Sequence, residues 1–143
     1  MPLDPPPRDL NGGVIPHDHP GIVPDDGIIR RVSPYHFVID PKANGRRLST
    51  MAFQPSTDGN GGMSVDIERL IVEAGLDPKT FVISPPWTGA VRFEARTLRE
   101  EGLKVGYDPL PDNPYHGEVW GQFSKRTKQK LLSLAQFFVL CGE

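Results

Sequence analysis

His36, His116 and Glu118 are the side chains of this chain best suited to moving a proton. His116 and Glu118 stand two residues apart, so on an extended segment both point to the same side, and Trp120 joins them. Tyr115, His116 and Trp120 would wall a small-ligand site. His36 reads first as a partly buried structural histidine on a strand, and only second as a functional one. A second kind of chemistry is offered by Arg46-Arg47 with Ser49-Thr50. A guanidinium forks an anion bidentately and a hydroxyl adds a donor, whereas the alternative is a solvated strand face carrying charge. His17 and His19 are metal-ligand candidates, because alternate residues of an extended segment share a side. No third ligand follows closely, so no metal and no cofactor is expected. Asp66 reads as a helix N-cap before it reads as an acid.

Two catalytic templates can be laid over these residues. Two-histidine phosphoesterases use His, any residue, then Ser or Thr, twice. Here the positions two after His36 and His116 are Val38 and Glu118, so the phosphate-binding hydroxyls are missing. The ADP-ribosyltransferase arrangement takes a strand Arg or His, a Ser-Thr strand and a later Glu. Arg31 or His36, Ser49-Thr50, and Glu94 or Glu118 occur in that order. The chain has no Gly-Lys-Thr phosphate loop, no His-Glu-x-x-His and no paired cysteines. The single Cys141 reads as a packing residue.

These residues need a scaffold, and the composition allows one domain. The chain has 143 residues, 37% hydrophobic and 24% charged, with a formal net charge of −2. That charge argues against a general nucleic-acid binder, whose domain should be basic. No apolar run approaches the roughly 18 residues of a membrane span, and the first residues lack the pattern of a signal peptide. A cytoplasmic protein is expected.

Residues 1–27 are rich in Pro, Gly and Asp, and read as an irregular arm, draped on the domain or flexible. Removing them is expected to leave the remainder, residues 28–143, folded. The acidic residues of the arm could dock on the basic run Lys125, Arg126, Lys128 and Lys130. Strands are predicted over Ile28–Val32, Tyr35–Asp40 and Arg46–Phe53, the last two joined as a hairpin by Asn44-Gly45. Gln54–Gly62 reads as a Gly-rich loop able to gate a site, and a helix capped by Asp66 runs to Gly75. Further strands are predicted at Phe81–Ile83, Ala90–Ala95, Leu103–Tyr107 and His116–Phe123. Thr97–Glu101 should be a short helix closed by Gly102, the Pro-rich stretch 108–114 a loop, and Ser124–Leu140 the last helix. The fold class is α+β: a mostly antiparallel sheet of five or six short strands packed by two main helices, the second C-terminal.

Arg31-Val32, Arg47-Leu48-Ser49-x-x-Ala52-Phe53, Met63-Ser64-Val65, Asp108-Pro109-Leu110-Pro111, His116 and Gly121 resemble a family of small bacterial proteins with no established activity. The resemblance covers about residues 28–140; it implies a bacterial origin and one domain, and no catalytic role for any residue. With no complete catalytic set, the expected function is a binding or accessory module for a partner protein or a small anionic ligand, through Arg46, Arg47, Ser49, Thr50, His116 and Trp120. The alternative is an enzyme acting on a nucleotide or dinucleotide through His36, His116 or Glu118. Neither a membrane nor a specific nucleic acid is an expected partner.

Overall fold

The run Gly27–Val32 forms the central strand β1, because Ile28, Ile29 and Val32 are buried on both faces of it. The computed structural model describes residues 3–40, 42, 45–56 and 60–140. In chain order the strands after β1 are β2 (Phe37–Asp40), β3 (Gly45–Leu48), β4 (Met63–Ile67), β5 (Gly89–Glu94), β6 (Lys104–Tyr107), β7 (His116–Trp120) and β8 (Gln136–Val139). The helices are α1 (Glu68–Glu73), α2 (Pro78–Phe81), α3 (Ala95–Glu100) and α4 (Lys125–Leu134). Six strands make one antiparallel sheet in the order β6-β7-β4-β1-β5-β8, and β2 and β3 form a separate hairpin. The architecture is α+β with a C-terminal helix, as the patterning requires. Among the described residues no helix is long and apolar enough to cross a membrane.

The two faces of the sheet differ in chemistry. One carries Ile28, Val32, Val65, Ile67, Val91, Phe93, Val105 and Val119 into the main core, which Phe53, Leu98 and Leu131 complete. On the other, Ile29, Ala90, Ile71 and Val82 form a smaller apolar cluster. The register sets Ile29 opposite Asp66, Asp66 opposite His116, and Ser64 opposite Glu118, so the rest of that second face is polar.

Several local expectations are corrected. Asp66 does not cap a helix: it lies in β4, and α1 starts at Glu68 with Ile67 in the cap position and no side-chain cap bond. The carboxylate is engaged by Arg31 and Asn113 instead. Phe81–Ile83 is not a strand, because Asp77 accepts a bond from the Lys79 amide and Pro78 opens α2. Pro34–His36 is a 3-10 turn that delays the second strand to Phe37. Likewise β3 ends at Leu48, and Thr50–Phe53 winds into a 3-10 turn behind Ser49. The last helix stops at Leu134, after which Gln136–Val139 pairs with β5. Pro41, Ala43 and Asn44 of the hairpin turn lie outside the described residues, as does Cys141. The hairpin itself pairs Asp40 with Gly45 as expected.

The arm is draped on the domain. Its acidic groups meet Arg69 on α1 and Arg96 and Arg99 on α3, not the basic run of α4: Asp26 binds Arg69 at 2.9 Å, Asp18 binds Arg99 at 2.9 Å, and Asp25 pairs with Arg96. Ile22 enters the main core with 1% of its surface exposed. The arm therefore contributes to stability, and its removal is expected to be costly. Ile22→Ala should lower the unfolding free energy by about 2–5 kcal/mol, the usual range for truncating a buried aliphatic side chain, measured by urea denaturation. A loss under about 0.5 kcal/mol would show that the arm is dispensable.

Candidate functional site

A cleft of about 400 Å³ opens on the polar face of the sheet. β1 supplies Arg30 and Arg31, β4 supplies Ser64 and Asp66, and β7 supplies His116. Phe81 at the end of α2, Trp87 from the loop before β5, and Leu110, Asp112 and Asn113 form the rim. Alternation brings Arg31, Ser64, Asp66 and His116 to one face, Asp66 and His116 as cross-strand partners, whereas Arg30 belongs by register to the opposite face, beside Val91.

Asp66 is the hub of the cleft wall. Arg31 grips it bidentately, Nε to Oδ2 at 2.8 Å and Nη2 to Oδ1 at 3.2 Å. Asn113 donates to the same carboxylate at 2.8 Å, fixing the rim loop. The Arg31 guanidinium also lies over the Phe81 ring, 5.6 Å from its centre. Arg30 points elsewhere, donating from Nε to the Ala52 carbonyl at 2.8 Å and from Nη1 to the Ser64 carbonyl at 2.9 Å. Burial among neutral acceptors lowers its pKa to about 10, with the carboxylates of Glu118 and Asp66 opposing part of that shift.

Behind His116 lies the most unusual chemistry. The His116 Nδ1 donates to the Asp108 carbonyl at 2.7 Å, which leaves the Nε2 lone pair free when the ring is neutral. Nε2 faces Glu118 Oε1 across 3.9 Å, too far for a hydrogen bond, and the Asp108 carboxylate approaches Nδ1 at 3.4 Å. Side-chain exposures are 10% for His116, 9% for Glu118 and 14% for Asp108. Glu118 Oε2 is buried with no hydrogen-bond partner among the described residues. Burial first, and then the Asp108 charge beside it, push the Glu118 pKa up to about 7. One donor atom from each of Asp108, His116 and Glu118 lies within 4.8 Å of the others.

The other sequence candidates lie apart from this cluster. His36 stacks on Trp87 behind the cleft rim, ring centres 5.9 Å apart, and its Nδ1 accepts the Ser33 amide. Burial first, then the Arg30 charge, lowers its pKa. Arg47 pairs with Asp40 at 3.0 Å within the hairpin, and Arg46 lies over the Phe37 ring. Ser49 donates to the His36 carbonyl at 2.8 Å, and Thr50 begins a 3-10 turn, so no Ser-Thr strand braces a pocket. Glu94 ends β5 and faces Arg96. Trp120 is buried, its Nε1 donating to the Asn60 carbonyl and its ring against His17. His17 donates from Nδ1 to the Ile15 carbonyl and accepts the Tyr107 amide at Nε2. His19 likewise donates to the Asp4 carbonyl and accepts the Gly21 amide. Both rings have their lone pairs occupied by backbone amides, which removes them as metal ligands.

Thr57, Asp58 and Gly59 of the expected gate lie outside the described residues, and the loop's end is fastened. Asn60 donates to the Val14 carbonyl, and Gly62 packs so that a Cβ there would fall 2.7 Å from Glu118 Oε2. The groups that sequence reasoning left out include Arg30, Asp108 and Asn113, and the aromatic rings of Phe81 and Trp87. Asn113 and Asp108 come from a loop whose prolines exclude a ladder but say nothing of where its side chains turn. No family model, no curated protein and no solved structure matches this chain, so the chemistry of the site is read from its own geometry.

Two outcomes follow from these environments. Asp66→Ala strands the Arg31 guanidinium and releases Asn113, and should cost about 2–4 kcal/mol in urea denaturation, near the value for breaking a largely buried ion pair. A cost below about 1 kcal/mol would show the pair to be a surface one. Glu118 has a folded-state pKa above its ordinary 4.5. The native chain therefore binds more protons than the unfolded chain, and this stabilisation is complete below about pH 4.5 and lost as pH rises through about 7. Glu118→Gln, in buffer with a chelator, should flatten that fall and be the more stable protein at pH 8. An unchanged pH profile would contradict it.

Proposed function

We infer that the chain is a binding module for a small, planar, polar ligand, held in the cleft between Trp87, Phe81 and the Arg31–Asp66 pair. The observation that carries this reading is the convergence of aromatic walls with fixed hydrogen-bonding groups in one cleft of about 400 Å³. That volume falls within the roughly 300–1,000 Å³ typical of small-molecule sites, which combine apolar walls with a few oriented polar groups. Trp87 is itself backed by His36, so its ring is presented in a set orientation. Arg31, held by Asp66, offers its remaining N–H edge, and Asn113 and Asp112 add polar groups at the rim. The positive charges of the cleft stand beside Asp66 and Asp112, which favours a ligand of low net charge over a strongly anionic one. Recognition through Arg46, Arg47, Ser49 and Thr50 loses support, because Arg47 and Ser49 are engaged within the hairpin and its turn.

An enzyme reading has one favourable observation, the Glu118 carboxyl poised near neutral pH beside His116. Glu118 does not line the cleft, so binding remains the stronger proposal.

Adenosine, AMP and inorganic phosphate separate the possibilities, as planar group alone, planar group with charge, and charge alone. Adenosine and AMP should both raise the melting temperature and change tryptophan fluorescence, with the fluorescence change lost in Trp87→Phe. Trp120, buried against His17, remains as the internal reference. Protection by phosphate and AMP but not adenosine would establish the anionic-ligand alternative. No response to adenosine or AMP would overturn the planar-ligand reading.

A further inference from the structure

We propose that Asp108, His116 and Glu118 form a binding site for one divalent transition-metal ion, of the zinc or manganese class, behind the cleft wall to which His116 belongs. The donor set is one imidazole and two carboxylates, brought together from β7 and the loop after β6. Mixed nitrogen and oxygen donors suit zinc and manganese, whereas calcium and magnesium prefer oxygen alone.

Three observations point to an ion and not to a merely structural polar cluster. The first is the tautomer. Metal-bound histidines characteristically donate their other ring N–H to a carbonyl or carboxylate, and His116 Nδ1 does so to the Asp108 carbonyl at 2.7 Å. That bond leaves Nε2 as the ligand atom, and Nε2 is the nitrogen that faces Glu118. The second is spacing. Two donors each about 2.0–2.2 Å from one zinc ion lie roughly 3.4 Å apart in a tetrahedron. The Nε2 to Oε1 separation of 3.9 Å is close to that and longer than a hydrogen bond. The third is the Glu118 side chain. It is only 9% exposed, yet Oε2 has no hydrogen-bond partner among the described residues. Buried carboxylate oxygens are otherwise paired, because an unpaired one carries the full desolvation cost. Glu118 and Asp108 lie close enough to share a proton, and a cation in that proton's place would answer both the cost and the repulsion between the two carboxylates.

The alternative metal motif, His17 and His19, is closed because backbone amides occupy its free lone pairs. His116 also lines the cleft, but the metal inference stands on the cluster alone. Its test contains no organic ligand, so its failure and that of the planar-ligand reading are separable.

Full-length protein, stripped with EDTA and desalted, is titrated separately with Zn²⁺, Mn²⁺, Mg²⁺ and Ca²⁺ by calorimetry and thermal shift. Zn²⁺ or Mn²⁺ should bind with one-to-one stoichiometry and raise the melting temperature, and Mg²⁺ and Ca²⁺ should bind more weakly. Glu118→Gln keeps the shape and removes the buried charge, so it should fold while binding the ion at least about tenfold more weakly. Asp108→Asn should weaken it in the same direction, and His36→Gln should leave it unchanged. Co²⁺ should give visible d–d absorption in the wild type that Glu118→Gln loses. Failure of the wild type to bind either Zn²⁺ or Mn²⁺ at one-to-one stoichiometry overturns the proposal. So does binding that Glu118→Gln and Asp108→Asn leave unchanged, or binding that His36→Gln abolishes.

Discussion

A half-buried arginine, Arg30, is the constraint on which the rest of this structure depends. β1 and β4 pair over Ile28 with Ile67 and Ile29 with Asp66, and the guanidinium of Arg30 reaches the Ser64 carbonyl beyond that pairing. It also takes the carbonyl of Ala52, so it ties the 3-10 turn after the hairpin to the centre of the sheet. A permanently charged group in such a place needs oriented acceptors, and backbone carbonyls supply them without neutralising it. The remaining field is felt by its neighbours. It helps to lower the pKa of His36 and pulls against the rise at Glu118. One side chain therefore joins two elements and brings its charge to bear, beside burial, at both His36 and Glu118.

The same local geometry explains which parts of the fold were legible in the sequence. β5 and β7 announce themselves by alternation, β1 by its β-branched residues buried on both faces, and α3 by its close at Gly102, whose φ of 80° suits glycine. β4 was hidden because Met63–Ile67 runs straight into α1, and its Val65, Asp66 and Leu70 mimic a capped helix start. The residue type at Asp66 was informative, but its partner is a guanidinium from another strand, which no local rule can name. Phe81–Ile83 is a short apolar run of the sort that periodicity cannot assign, and Asp77-Pro78 was the stronger signal. Gln136–Val139 follows a helix with a compatible apolar pattern, so only its pairing with β5 separates strand from helix.

Part of the site was legible for the same reason as the strands. The i, i+2 relation of His116 and Glu118 follows from alternation, and the register places both on the polar face. Asp108 could not be reached that way, since its approach to His116 depends on how a Pro-rich loop folds back on β7. Arg46 and Arg47 were attractive as charges, yet charge on a hairpin finds local partners first, here Asp40 and the ring of Phe37. Trp120 has the right face but is covered by His17, because the arm lies over it.

That covering gives the His17-Asp18-His19 segment a physical purpose. β6 is an edge strand, and an edge exposes unpaired amides and carbonyls that invite pairing with another chain. The His19 amide donates to the Val105 carbonyl, the Asp18 carboxylate accepts the Val105 amide, and the His17 ring accepts the Tyr107 amide. Three successive residues thus close the outward side of β6, using a backbone amide, a carboxylate and an imidazole. Two histidines at alternate positions look alike in sequence whether they bind a metal or seal a sheet edge. The difference lies in what holds the second nitrogen of each ring. In the arm both nitrogens of each imidazole meet backbone groups, whereas His116 has only Nδ1 engaged and turns Nε2 toward a carboxylate.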